Sequence, residues 1–170
     1  MKAIGFFLIN KKKLRIIYNP YLKNLSKKTK IKAKNYIFSA GRFCKQKNFL
    51  FLIDTISKLK IHKDKISLIL IGDGPQKKQM LTKIRELKLT KFIKIRPWKN
   101  NLQNIFKKAK IFILPSLYEG QPNILIDAIN HGIPSISSNC SGAQDILGNN
   151  KGSEIFPINN QNRLIHYIKK

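Results

Sequence analysis

Acidic residues are scarce. The 170-residue chain carries eight Asp and Glu against 34 Lys and Arg, a formal net charge of +26. That balance disfavours tight pairing through like-charged faces and any cationic partner. Cysteine is nearly absent: Cys44 and Cys140 lie far apart, with no Cys-x-x-Cys. A disulfide framework and a zinc ribbon are thereby excluded, and a reducing compartment is the natural setting. Arginine is also sparse, at Arg15, Arg42, Arg85, Arg96 and Arg163. Proteins that read nucleic acid lean on Arg for bidentate contacts, so nucleic acid is not the expected partner. The Lys, Ile and Asn excess is spread along the chain, the pattern of a compositional bias rather than of one binding face. Long apolar runs are missing too. Ala3-Ile4-Gly5-Phe6-Phe7-Leu8-Ile9 is far short of the roughly 20 residues a membrane span needs. Lysines follow that run instead of preceding it, which argues against a signal peptide. A cytoplasmic location is the expectation. Residues 1–34 hold eleven Lys and Arg and no acid, so peripheral contact with anionic lipid at the inner face of a membrane is compatible with it.

What is present is a regular alternation. Hydrophobic residues make up 42%, enough for a core. Tyr36–Ala40, Ser67–Ile71, Phe92–Ile95, Ile111–Leu114, Ser135–Ser138 and Glu154–Pro157 read as strands. Between them Asn48–Lys60, Pro75–Lys88, Asn101–Lys108 and Pro122–Asn130 place apolar residues at helical spacing, Ala143–Leu147 reads as a helical turn, and 161–169 as a terminal helix. Strands that are apolar throughout, alternating with amphipathic helices, imply a doubly wound, Rossmann-like parallel sheet in the α/β class. Residues 1–34 read as remnant strands and a basic linker, and 35–170 as the domain proper. Ligands of such sheets bind at the carboxyl ends of the strands. The search for function narrows to loops 41–47, 72–75, 96–101, 115–122 and 138–143.

In the first loop Arg42 leaves the strand end after Gly41 and Lys47 is expected to open the next helix. Two cations there can grip a diphosphate, with helix amides adding donors. Cys44 between them reads as an inert loop thiol. In the second, Gly72-Asp73-Gly74-Pro75 lets backbone approach a ligand closely. It lacks the third glycine of a dinucleotide fingerprint and the Lys-Ser/Thr of a P-loop, which disfavours NAD and ATP hydrolysis. The fourth loop, Pro115 to Asn123, is the most informative. Glu119 precedes a helix whose first position is expected to be Pro122, so amides near Asn123 and Ile124 would face an anion. Asp127 lies a turn further on. Carboxylates beside a phosphate site suit sugar hydroxyls rather than phosphate. The expected pocket has one cationic and one acidic wall. Trp98 follows the third strand, and His131 closes a helix at its C-terminal end.

Taken in order, Gly41-Arg42-(x4)-Lys47-Asn48, Ile69-Leu70-Ile71-Gly72-Asp73-Gly74-Pro75, Pro115-Ser116-Leu117-Tyr118-Glu119-Gly120-Gln121-Pro122-Asn123-(x3)-Asp127-Ala128 and Gly132-Ile133-Pro134 resemble the C-terminal half of the group 1 glycosyltransferases. These are GT4-type retaining enzymes with the GT-B fold. The resemblance covers roughly residues 14–158, and Ile16-Ile17-Tyr18-Asn19-Pro20 is similar to the segment entering that half.

The resemblance implies transfer of a glycosyl group from a nucleotide-diphosphate sugar, a UDP-sugar, in cell-surface polysaccharide or lipopolysaccharide synthesis. Arg42 and Lys47 match the basic pair on the donor diphosphate. Glu119 matches the first acid of the family's E-x7-E motif, on the sugar hydroxyls. Asp127 stands in place of the second, on the ribose, one methylene shorter. Gly41, Gly72, Gly74, Gly120, Gln121, Asn123 and Ile124 line the donor site by the same correspondence. The chain has no Asp-x-Asp pair for a metal, and Arg42, Lys47 and a helix N-terminus supply positive charge instead. A metal-independent mechanism without a cofactor is therefore expected. The acceptor site belongs to an N-terminal half, so this chain is expected to be a truncated or split donor-binding half without activity of its own. A separately encoded N-terminal half is the partner implied. Two other readings stay open at this level: a non-catalytic nucleotide-sugar binder, and a basic protein that binds RNA or a membrane surface.

Overall fold

The computed structural model describes residues 36–59, 66–99, 101–148 and 152–170. The elements are β1 (Tyr36–Ala40), a 3-10 turn (Lys45–Lys47), α1 (Phe49–Ser57), β2 (Ser67–Ile71), α2 (Lys77–Glu86), β3 (Ile93–Arg96) and α3 (Gln103–Phe106). They continue as β4 (Ile111–Leu114), α4 (Asn123–Asn130), β5 (Ser135–Ser138), α5 (Ser141–Leu147), β6 (Ser153–Phe156) and α6 (Gln161–Lys169). The strands form one sheet in the order β3-β2-β1-β4-β5-β6, with every pairing parallel. The expected Rossmann-like sheet is thus observed. The readings on residues 1–34 fall outside the described residues. Among the described residues no helix is long and apolar enough to cross a membrane.

Strand periodicity divides the core into two layers. Ile37, Leu68, Leu70, Ile93, Ile113 and Ile136 face α1, α2 and α6, packing with Phe49, Leu52, Ile53, Ile56, Met80, Ile84, Leu164 and Ile168. Tyr36, Phe38, Ala40, Phe112 and Leu114 face α3, α4 and α5, packing with Leu102, Phe106, Leu125, Ala128, Ala143 and Leu147. Successive side chains of a strand point to opposite faces, so a strand buried on both sides must be apolar throughout. Strand β5 is the exception, with serine at three of its four positions, all buried. Two of the hydroxyls are satisfied locally: Ser135 Oγ donates to the Ile133 carbonyl at 3.0 Å and Ser137 Oγ to that of Ser138 at 3.0 Å; Ser138 Oγ donates to the Ser116 carbonyl across the sheet.

Several expected helix starts are corrected, those at Pro75 and Asn101 by two residues, to Lys77 and Gln103. Lys47 does not open α1; it ends the 3-10 turn, and Asn48 follows in a left-handed conformation at φ 55°. Asn tolerates that region better than most residues. Pro122 is not the first residue of α4 but its cap, at φ −77° and ψ 89°. Its carbonyl accepts the first helical bonds, from the amides of Leu125 at 2.9 Å and Ile126 at 3.3 Å. Helix α5 begins two residues earlier than the expected turn at Ala143, because Gly142 in its first turn lets it press against Gly120. A Cβ at Gly142 would stand 2.0 Å from the Gly120 carbonyl oxygen.

Candidate functional site

Helices α1 and α2 lie on one face of the sheet, and α3, α4 and α5 on the other. The chain leaves β1 toward the first face and β4 toward the second. These two strands are neighbours. The crevice between the loops that follow them is the topological switch point, where open α/β sheets hold their ligands. The loops are those of Arg42–Lys47 and Pro115–Pro122.

Three contacts tie the two loops together. The Leu117 amide donates to the Gln46 carbonyl at 2.8 Å. Gln46 Nε2 donates to the Tyr118 carbonyl at 2.9 Å. Lys47 Nζ stands 2.6 Å from Glu119 Oε1. Gly41 makes room for the last, since a Cβ there would meet Lys47 Cε at 3.3 Å, and the lysine stem crosses the glycine. The cationic and acidic walls expected to oppose one another are therefore in contact. A lysine on a long flexible stem reaches across the crevice to an anion that would otherwise be buried unpaired.

Glu119 is 9% exposed. Its carboxylate takes a second donor, Ser116 Oγ, at 2.6 Å, also on Oε1. Its own carbonyl accepts from Ser141 Oγ at 2.9 Å, and the Ser116 carbonyl accepts from Ser138 Oγ. The acid is thus held from both ends by hydroxyls of the loop after β4, of β5 and of α5. Tyr118 beside it is 62% exposed. Arg42 is exposed on the same loop as Lys47, and its carbonyl accepts the Cys44 amide at 2.9 Å. Loop 72–75 lies against this loop: the Phe43 amide donates to the Asp73 carbonyl at 2.8 Å, and the Gln76 amide to that of Phe43 at 2.9 Å. Asp73 Oδ1 accepts the Gly74 amide at 2.8 Å, and Oδ2 pairs with Lys77 at 2.9 Å. These partners pull the Asp73 carboxyl below its usual range, the lysine most strongly. Asp73 anchors a turn rather than pointing a free acid at the crevice.

Asp127 lies within α4. It lines a cleft of about 330 Å³ with Trp98, Asn101, Gln103, Ile124 and His131, between α4 and the loop after β3. Neither Glu119 nor Lys47 lines that cleft. His131 stacks on Phe106 with ring centres 4.7 Å apart, and its Nδ1 lies 2.7 Å from the Asp127 carbonyl. Desolvation raises the Asp127 carboxyl above its usual range, partly offset by His131. A carboxyl with a higher pKa folded than unfolded stabilises the fold below its unfolded pKa, and that contribution is lost as pH rises through the folded value. Ionised Asp127 therefore works against the fold at neutral pH. Asp127 is exposed and water screens most of this effect, so Asp127→Asn is expected to raise Tm by no more than about 1 °C at pH 7 and to change nothing at pH 3, by scanning calorimetry. A lower Tm at pH 7 would contradict this. Asp127 and Trp98 are both exposed along that cleft.

The structure thus gathers Gly41, Arg42, Lys47, Gly72, Gly74, Glu119 and Gly120 onto adjoining loops at one rim. Pro122 caps α4 there with no side-chain hydrogen bond, ahead of Asn123 and Ile124. Gln121 sits between Gly120 and that cap. Sequence reasoning missed the serines. Ser116 has a local signal, a hydroxyl three residues before the acid. Ser138 and Ser141 lie 22 residues from their partners, and only folding brings them close.

Known proteins show the same architecture. The model of the family described as glycosyl transferases group 1 matches residues 23–170. The N-acetylgalactosamine-N,N'-diacetylbacillosaminyl-diphospho-undecaprenol 4-alpha-N-acetylgalactosaminyltransferase of Campylobacter jejuni is 29% identical over 96% of this chain and 45% of its own length. The UDP-Gal:alpha-D-GlcNAc-diphosphoundecaprenol alpha-1,3-galactosyltransferase of Escherichia coli is 28% identical over 81% of this chain and 37% of its own. The chain spans less than half the length of these relatives. Among solved structures, a TarM variant from S. aureus, in complex with Fondaparinux, alpha-GlcNAc-glycerol and UDP, superposes with a TM-score of 0.78. It covers 85% of this chain and 30% of its own at 20% identity, a likeness of fold.

Proposed function

This chain belongs to the group 1 glycosyl transferases, and on that premise we propose that its described domain is the half that holds a nucleotide-diphosphate sugar for glycosyl transfer in cell-surface polysaccharide or lipopolysaccharide synthesis. The observation that carries this reading is the meeting of Lys47 and Glu119 at the switch point, a cation and a buried acid 2.6 Å apart across the two loops. Arg42 and Lys47 hold the diphosphate, with the first turn of α4 adding its dipole. When the bond from the anomeric carbon to the diphosphate breaks, those fixed charges neutralise the leaving oxygen, so no metal is needed for that task. Glu119 accepts hydroxyls of the sugar. The nucleoside lies along the neighbouring cleft, its ribose at Asp127 and its base against Trp98. A relative named for UDP-galactose transfer and a neighbour solved with UDP favour uridine.

Transfer also needs an acceptor site. We assign it to a partner domain corresponding to the N-terminal half of the longer relatives, and expect no transfer by the chain alone. The location that follows is the cytoplasmic side of a membrane, met by peripheral contact.

Trp98 is the only tryptophan in the chain and is 51% exposed. Its fluorescence is therefore a direct probe of the cleft. UDP is expected to quench it saturably. Arg42→Ala is expected to raise the Kd about 10-fold or more, the value of a lost charge-assisted hydrogen bond. A chain that binds polyanions through general charge, whether RNA or anionic lipid, would respond alike to any polyphosphate and ignore that substitution. Such a result would overturn the assignment.

A further inference from the structure

Ser116 has no exposed surface. Its hydroxyl and the Lys47 ammonium both donate to Oε1 of Glu119, each at 2.6 Å. The two donors differ in freedom. The lysine side chain is 18% exposed at the end of a flexible stem, and a diphosphate in the crevice would compete for its charge. Ser116 is the second residue after β4, and Ser138 bonds its carbonyl. It cannot follow a ligand.

We propose that Ser116 is a positioning residue: it keeps Glu119 oriented by Oε1 when Lys47 turns to the donor, so that Oε2 faces the sugar hydroxyls. The inference rests on the reading of Glu119 as the donor-sugar acid. In the empty protein the carboxylate has two anchors, one mobile and one fixed. With donor bound, the fixed one alone sets its direction. Ser141, on the Glu119 carbonyl, holds the backbone below it. A hydrogen bond to an ionised acceptor is among the stronger ones a neutral side chain makes, and small errors in the placement of such a group are costly.

The test compares UDP with UDP-galactose and with UDP-N-acetylgalactosamine on the full chain, read by Trp98 fluorescence. Glu119→Gln is expected to weaken one or both UDP-sugars about fivefold, the value of one hydrogen bond, and to leave UDP within about twofold. Ser116→Ala is expected to show the same split, Ser116→Thr to restore the wild-type ratio, and Ser116→Ala in a Glu119→Gln background to add nothing. If Ser116→Ala does not fold, Ser116→Cys reads the same split, since its thiol fills similar space and donates weakly. Equal weakening of UDP and UDP-sugars would mean a merely structural serine and overturn the proposal. An unchanged ratio in the serine variants, with Glu119→Gln showing the split, would overturn it alone. Absence of the split in Glu119→Gln itself would end the reading of Glu119 and this inference with it.

Discussion

Gly72→Ala is expected to lower the unfolding free energy by about 3–5 kcal/mol, a large fraction of what a domain of this size possesses. Gly72 ends β2 at φ +152°, a region that side chains rarely enter. A Cβ there would lie 1.9 Å from the carbonyl oxygen of Gly41 and 3.1 Å from Phe43 Cε1. The first neighbour is backbone, and it is not free to retreat. The Gly41 amide is bonded to the Ile71 carbonyl at 3.0 Å, and the Gly72 amide to that of Arg96 at 3.0 Å. Overpacking and backbone strain therefore add. Gly120→Ala is the control: a Cβ there meets nothing within 4 Å, and its cost should stay within about 0.5 kcal/mol. Urea unfolding followed by circular dichroism measures both. Equal midpoints for Gly72→Ala and the wild type would show that the two strand ends are not packed as described. Because Gly41 opens the loop of Arg42 and Lys47, a folded fraction of Gly72→Ala should also bind UDP more weakly.

Lys47→Met is expected to cost about 2–4 kcal/mol of stability, because it leaves Glu119 ionised, nearly buried and without a cation. The Ser116 hydroxyl remains and holds the loss toward the lower end of that range. Adding Glu119→Leu to the same chain should recover most of it, since the buried charge goes as well. Three other ion pairs among the described residues, Lys77–Asp73, Lys83–Asp54 and Lys170–Glu154, are substantially exposed. Breaking any one of those should cost under about 1 kcal/mol. The contrast matters more than the absolute figure. If Lys47→Met were as mild as Lys83→Met in the same denaturation series, Lys47 and Glu119 would not be a buried pair. UDP binding by Lys47→Met should fall about 10-fold, as for Arg42→Ala.

Much of this was legible before folding. The six strands were found within a residue or so, because apolar runs such as Ser67–Ile71 admit no other arrangement beside amphipathic helices. The helix ends were less legible. Asn48 entering the left-handed region and Pro122 acting as a cap depend on which carbonyl each amide finds, and residue identity alone leaves that choice open. Glu119 stood out because acids are few. Its partners did not: the sequence placed Lys47 on a diphosphate rather than on this acid, and nothing in it marks the serines.

Local chemistry alone settled the α/β class, the parallel sheet and the rim on which to look. Each of these follows from side-chain periodicity and from where glycine and proline stop an element, and such signals act over a few residues. Tertiary structure alone decided that Lys47 and Glu119, 72 residues apart, share one oxygen with Ser116. It also decided that Asp127 and Trp98 line one cleft. Those distances depend on the strand order, which puts β1 next to β4. That order comes from the collective burial of two hydrophobic faces, a quantity no short stretch of sequence contains.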